Sequence, residues 1–187
     1  MLKVGLVGCG RISKKHSEIL ATNKVRGITL GAVCDINVKK AKALSEKYNV
    51  KYYLSMHKMM NEEKLDIIAV LTESGNHSKN VIELAKYGKD IIVEKPMALT
   101  IDDADLMINA CYENKCRLFV VKQNRFNNAL RLLKKQIDLG RFGDISVITI
   151  NVLWNRPQKY YDSDLWRGTK TLDGGALINQ ASHYVDL

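Results

Sequence analysis

Proline is scarce in this chain. Its 187 residues include two prolines, Pro96 and Pro157, and twelve glycines, too few for a collagen repeat or a Pro/Gly-rich disordered tail. Cysteine is limited to Cys9, Cys34, Cys111 and Cys116, with no C-x-x-C pair and no zinc-ligand spacing. That excludes a disulfide-stapled miniprotein and leaves four reduced thiols as the expectation. No apolar run approaches the ~18 residues of a membrane span. The first residues run straight into a strand pattern without signal-peptide architecture, so a soluble cytoplasmic protein without membrane partners is expected. There is no Gly-x-Ser-x-Gly elbow for a Ser-His-Asp hydrolase. Histidines and carboxylates show no metal-ligand spacing, and no metal is expected.

What is present is a globular composition, 46% hydrophobic and 26% charged, with a formal charge of +9. The positive excess is spread along the chain rather than gathered into a tail or a basic helix. A nucleic-acid-binding protein usually shows a clustered basic footprint, so no nucleic-acid partner is expected. A diffuse positive field suits an anionic small substrate or a dinucleotide.

The first 122 residues alternate strand-like and helix-like segments, which implies a parallel sheet covered by helices on both faces, an α/β doubly wound fold. Strands are expected at 2–7, 28–34, 66–71, 90–93 and 118–121, with a weaker strand and a Met-rich helix within 51–63. Helical spacing places Ile12, His16, Ile19 and Leu20 on one buried face, which makes His16 a packed core histidine. Val38, Ala41, Leu44 and Tyr48 mark the next helix. Residues 76–87 form another, closed by Gly88. Thr100 reads as the N-cap of a helix whose buried stripe is Ala104, Met107, Ile108 and Cys111. Past residue 122 the pattern changes to a helix at 128–139, an alternating strand at 145–153, a polar loop at 155–171 and a final helix from 174. Residues 123–187 therefore read as the start of an incomplete α+β domain following residues 1–122.

Gly8-x-Gly10-x-x-Ser13 follows a strand and opens a helix. Glycines there permit a tight turn and close approach of a pyrophosphate, whose charge rests on the helix N-terminus. Asp35 ends the next strand, where a carboxylate accepts both ribose hydroxyls and repels a 2′-phosphate, favouring NAD over NADP. Glu94-Lys95-Pro96 sits at the C-terminal end of a buried strand, where open α/β sheets place their ligands. Asn179 and His183 share a helix face, with Asp186 three residues on. A histidine near a carboxylate can serve as a general base near neutral pH.

Together these residues carry a resemblance. Val7-Gly8-Cys9-Gly10-Arg11-Ile12-Ser13-Lys14-Lys15-His16, Leu71-Thr72-Glu73-Ser74-Gly75-Asn76-His77, Glu94-Lys95-Pro96-Met97 and Gly174-Gly175…His183-x-x-Asp186 resemble, in order, the Gfo/Idh/MocA oxidoreductase family. Gln123-Asn124-Arg125-Phe126 and Trp154-Asn155-Arg156…Asp164-x-Trp166-Arg167-Gly168 are similar to the branch that oxidises a ring hydroxyl of UDP-N-acetylglucosaminuronic acid in bacterial polysaccharide synthesis. The chain departs from many members in carrying Glu73 for proline and Asn179 for aspartate.

The resemblance implies a Rossmann domain followed by a substrate domain, and an NAD-dependent oxidation of a secondary sugar hydroxyl. It implies catalytic Lys95 and His183. Cofactor contacts would come from Gly8, Gly10, Arg11, Ile12, Asp35, Thr72, His77 and Glu94, and substrate contacts from Gln123, Asn124, Arg125, Arg167 and Asn179. The expected partner is a sugar or nucleotide sugar, and the assembly a homo-oligomer. The 187 residues alone are expected to bind NAD without turnover. An inositol or simple-sugar dehydrogenase and a non-catalytic NAD-binding module are the alternatives.

Overall fold

The computed structural model describes residues 1–22 and 24–187, which divide into two units, Met1–Val121 and Lys122–Leu187. In the first, strands β1 (Leu2–Val7), β2 (Ile28–Cys34), β3 (Lys51–Tyr53), β4 (Ile67–Val70), β5 (Asp90–Val93) and β6 (Leu118–Val120) form one sheet. Every pairing is parallel, in the order β3-β2-β1-β4-β5-β6. The helices between them are α1 (Ser13–Ala21), α2 (Val38–Tyr48), α3 (Met56–Glu62), α4 (His77–Ala85) and α5 (Ile101–Glu113). This is the α/β parallel architecture that the alternation implies.

The central strand β4 is apolar throughout because both sheet faces are covered. Ile68 and Val70 of β4 join a core with Met59, Val81, Leu84, Met107 and Cys111. Their neighbours Ala69 and Leu71 join a second core with Leu20, Ala41 and Leu44, as period-two alternation requires. Met59 and Met60 are buried and Met56 packs against the same core. Local signals hold the helix ends. The Thr100 hydroxyl oxygen accepts the Asp103 amide at 3.1 Å and donates to its carboxylate at 2.8 Å. An N-cap of this kind contributes ~0.5–2 kcal/mol. Gly88, at φ +63°, ends the turn after α4.

The register aligns the carboxyl ends. Val7 pairs with Cys34 and Val70, Val70 with Val93, and Val93 with Val120. Gly8, Asp35, Leu71 and Glu94 therefore emerge along one edge of the sheet. Sequence order reverses between β1 and β4, the switch point at which open α/β sheets hold ligands.

Two helix faces differ from the sequence reading. The buried face of α1 is Ser13, Ser17 and Leu20, whereas Ile12 is 41% exposed and His16 half-buried. Small serines are what the helix turns inward, and His16 is not a packed core residue. Along α5 the buried stripe narrows to Met107 and Cys111, and Ile108 is exposed.

The second unit contains α6 (Asn128–Asp138), capped by the Asn127 carboxamide, α7 (Gln158–Asp162), a π-helical segment Ala176–Ala181 and α8 (Ser182–Val185). Residues 145–153 do not form the expected strand. They carry no regular structure and are exposed, with Val147 79% and Leu153 97% accessible. A strand exists only through a ladder with a partner, and among the described residues none pairs with this segment. The region expected to be a continuous loop contains α7, and the final helix is interrupted by π geometry. No helix among the described residues is long and apolar enough to cross a membrane.

Candidate active site

Gly8 closes β1 at φ +100°, and a Cβ there would lie 2.7 Å from the carbonyl of Leu71 and 2.8 Å from the Thr72 nitrogen. Only glycine allows the turn to pass so close to the end of β4. A Cβ on Gly10 would meet nothing within 4 Å, so the outer side of the turn is open to a ligand. Arg11 and Ile12 are exposed beside it. Ser13, fully buried, donates from its hydroxyl to the Gly10 carbonyl at 2.7 Å and holds the turn against α1. No side chain caps α1 and no acid lies in its first turn, so its N-terminal N–H groups and positive dipole end suit an anion.

Asp35 is aimed by backbone. Its Oδ2 accepts the Cys9 amide and its Oδ1 the Asn37 amide, both at 2.7 Å. Each carboxylate oxygen keeps acceptor capacity for a hydroxyl. The glycine turn, the uncapped helix and this carboxylate fit a dinucleotide. The Cys9 thiol within the turn is no nucleophile: burial, then the charge of Asp35, pushes it up to about 12. All four cysteines are free and buried.

At the ends of β4 and β5 two histidines tie the loops together. His77 is buried, with Nδ1 2.7 Å from the Pro96 carbonyl and Nε2 3.1 Å from the Thr72 carbonyl. Burial holds this imidazole below its ordinary pKa, although both carbonyls favour protonation. The Thr72 hydroxyl in turn accepts the Asn80 amide at 2.9 Å. Glu94 is buried, and its Oε1 lies 2.8 Å from His16 Nε2 while Oε2 accepts the Lys95 amide at 3.1 Å. Burial opposes its ionisation, but the bonds and charges of His16 and Lys95 outweigh it, and the carboxyl stays below the usual range. Lys95 itself is half-buried, in the loop that follows β5.

Within the second unit, His183 is buried and its Nε2 lies 3.4 Å from the Gln123 amide nitrogen. Asn179 donates to Asp173, whose other oxygen accepts the Gly168 amide at 2.8 Å. Arg125 grips Asp186 with two bonds of 2.8 and 2.7 Å, and Lys122 stands 3.5 Å from the same carboxylate. The Arg125 bond holds Asp186 below its ordinary pKa. Arg167 donates to Ser163, Asp164 and the Tyr160 hydroxyl, and lies over the rings of Tyr160 and Trp166. Asn124 is half-buried in the turn before α6.

The structure thus brings together the glycine turn, Asp35, Thr72, His77, Glu94 and Lys95 along one sheet edge. It joins Gln123 to His183 in the second unit, and it ties Arg125 and Arg167 to carboxylates of the chain. Sequence reasoning missed His16, Asn80 and Asp173 as partners of named residues. For His16 a signal exists, since it lies one turn into the helix that opens at the ligand edge. Among the described residues no cluster of three or more potential metal ligands occurs.

Residues 2–122 match the family model described as the oxidoreductase family, NAD-binding Rossmann fold, and residues 130–187 match the Gfo/Idh/MocA C-terminal domain. The chain is similar over its whole length to the WlbA dehydrogenase of Bordetella pertussis, crystallised with NADH and UDP-GlcNAcA. The identity is 46%, the TM-score 0.95, and 57% of that chain is covered. It is also 29% identical over 80% of its length to a myo-inositol 2-dehydrogenase of Thermotoga maritima, covering 44% of that protein. An inositol 2-dehydrogenase of Salmonella typhimurium is 31% identical over 76% of this chain. The chain spans about half the length of the curated relatives it matches.

Proposed function

The chain belongs to the Gfo/Idh/MocA oxidoreductase family, and from that premise we propose that it oxidises a secondary ring hydroxyl of a sugar, a UDP-linked acetamido-sugar uronate, in the cytoplasm. One observation carries the choice of substrate. The likeness to the WlbA dehydrogenase runs through all 187 residues at 46% identity, whereas the inositol dehydrogenases match 76–80% of the chain at about 30%.

Bound NAD supplies the hydride acceptor. The turn from Gly8 to Gly10 and the N-terminus of α1 hold its pyrophosphate, with Arg11 and Ile12 flanking. Asp35 receives the adenosine ribose hydroxyls and Thr72 lines the switch point. The Lys95 ammonium stands at the reacting hydroxyl and stabilises the negative charge that grows on oxygen as the proton departs. His183 takes that proton at Nε2, which is an acceptor when the Gln123 amide donates to it. Gln123, Asn124, Arg125, Arg167 and Asn179 orient the sugar and its anionic groups.

A second reading is favoured by the partners of the two arginines. Arg125 and Arg167 are engaged by Asp186 and Asp164, as in a site for a neutral inositol or simple sugar. Both readings are tested by NADH formation with the full-length protein against UDP-sugars, free sugars and inositols. Highest kcat/KM on a UDP-linked uronate is expected. Highest kcat/KM on inositol would replace the first reading with the second. NAD binding with no turnover of any sugar would leave a non-catalytic NAD-binding module.

A further inference from the structure

His16 lies on α1 outside the Gly8–Gly10 turn, and it is bonded to the residue that precedes Lys95. It stands on α1, beyond the end that faces the pyrophosphate site. Its Nε2 reaches Glu94 Oε1 at 2.8 Å across 78 positions of sequence. The carboxylate so held is 7% exposed, and its second oxygen accepts the Lys95 amide at 3.1 Å. Glu94 therefore bridges two things, the dinucleotide helix and the backbone of the loop that carries Lys95.

Packing alone does not explain this bridge. Desolvating a carboxylate is costly, and an apolar pair of the same volume would join α1 to β5 at least as stably. What an apolar pair cannot do is set direction. A charge-assisted bond from an imidazole N–H fixes the carboxylate rotamer, and the rotamer fixes the amide of Lys95. Effective alignment of a reacting group is lost with displacements of about 1 Å, at a cost of roughly a hundredfold in rate.

We propose that His16 is a positioning residue for Lys95, acting through Glu94 to hold the Glu94-Lys95-Pro96 loop in register with the dinucleotide turn. The inference rests on the reading that Lys95 acts at the reacting hydroxyl. It makes α1 serve both halves of the reaction, one end receiving the cofactor and the adjoining turn orienting the lysine.

The test uses the full-length protein and its best sugar substrate. His16→Leu removes the bond at similar volume, and His16→Gln restores an N–H donor on a chain of similar reach. His16→Leu should lower kcat by roughly tenfold or more, with sugar KM and the NAD dissociation constant within about threefold. His16→Gln should recover most of that loss. A substrate deuterated at the oxidised carbon should show an equal or larger isotope effect on kcat in His16→Leu, because the hydride step is the one slowed. Should His16→Leu fold poorly, His16→Phe, which keeps a ring of similar size without an N–H donor, is expected to show the same loss confined to kcat.

Wild-type kcat in a folded His16→Leu protein, or a loss carried entirely by NAD affinity, would overturn the proposal while leaving the role of Lys95 intact. Retained kcat in Lys95→Ala would instead remove the reading beneath it, and the positioning role with it. Equal damage from leucine and glutamine would reduce His16 to a structural residue.

Discussion

The Cys9 amide donates to Asp35 Oδ2 across 2.7 Å, so the glycine turn itself aims the carboxylate that follows β2. Residues 26 positions apart act as one device: the same backbone that turns at Gly8 holds the carboxylate proposed to receive the adenosine ribose. Replacing Asp35 by serine removes both a ribose acceptor and a tether of the turn. NAD affinity should fall by about 10- to 150-fold, from a charge-assisted bond of ~1.5–3 kcal/mol, and its advantage over NADP should narrow. Calorimetry with both dinucleotides measures this. Unchanged NAD affinity would make Asp35 a structural residue only.

Lys95→Ala should abolish measurable turnover and leave NAD affinity within about threefold. The ammonium is assigned to charge that develops in the transition state, so its removal belongs in kcat rather than in ground-state binding. Steady-state rates beside fluorescence titration of NADH separate the two. An ordinary kcat would remove Lys95 from the reacting hydroxyl and leave it a structural residue of the loop after β5.

Gly8→Ala should be among the most damaging single-methyl changes in the first unit. The new Cβ would meet the Leu71 carbonyl at 2.7 Å from a left-handed backbone, and neither β1 nor β4 can yield without breaking ladder bonds. A cost of at least ~1–3 kcal/mol is expected. Thermal melting and NAD titration should both register it, whereas Gly10→Ala, with open space around its Cβ, should melt as the wild type does and lose NAD affinity alone.

Acid should destabilise the first unit in two stages. Burial holds His77 below its ordinary pKa, so between that depressed value and about 6.5 the unfolded chain binds the proton more readily. Stability present above that window is lost as pH falls through it. Glu94, also held below its ordinary pKa, loses its contribution at lower pH, from the usual carboxylate range downward. Melting temperature against pH should first decline below about pH 6.5, and His77→Gln should flatten that first stage. A decline of the same shape in the variant would assign it to another group.

Much of this was written locally. The spans of β1, β2 and β5, the Thr100 cap and the Gly88 stop follow from two- and 3.6-residue periodicities and from single-residue backbone preferences, and these survive translation into a fold because they act over a few residues. The Gly8–Gly10 turn and Asp35 were legible for the same reason: each depends on its own position at a strand end, and the parallel register then lines the strand ends up.

What lay beyond the sequence were the choices made between distant parts. Helix α1 turned Ser13 and Ser17 inward rather than Ile12 and His16, because a helix seated closely on a sheet favours small side chains whatever its apolar periodicity. That rotation freed His16 to meet Glu94, a partner 78 positions away that only the fold brings near. Arg125 was placed as an anion holder by residue type, and only folding brought Asp186, 61 positions away, into its fork. Residues 145–153 carry the alternation of a strand without being one, since alternation states a preference for two faces, and only a neighbouring strand supplies the hydrogen bonds that make the preference a structure.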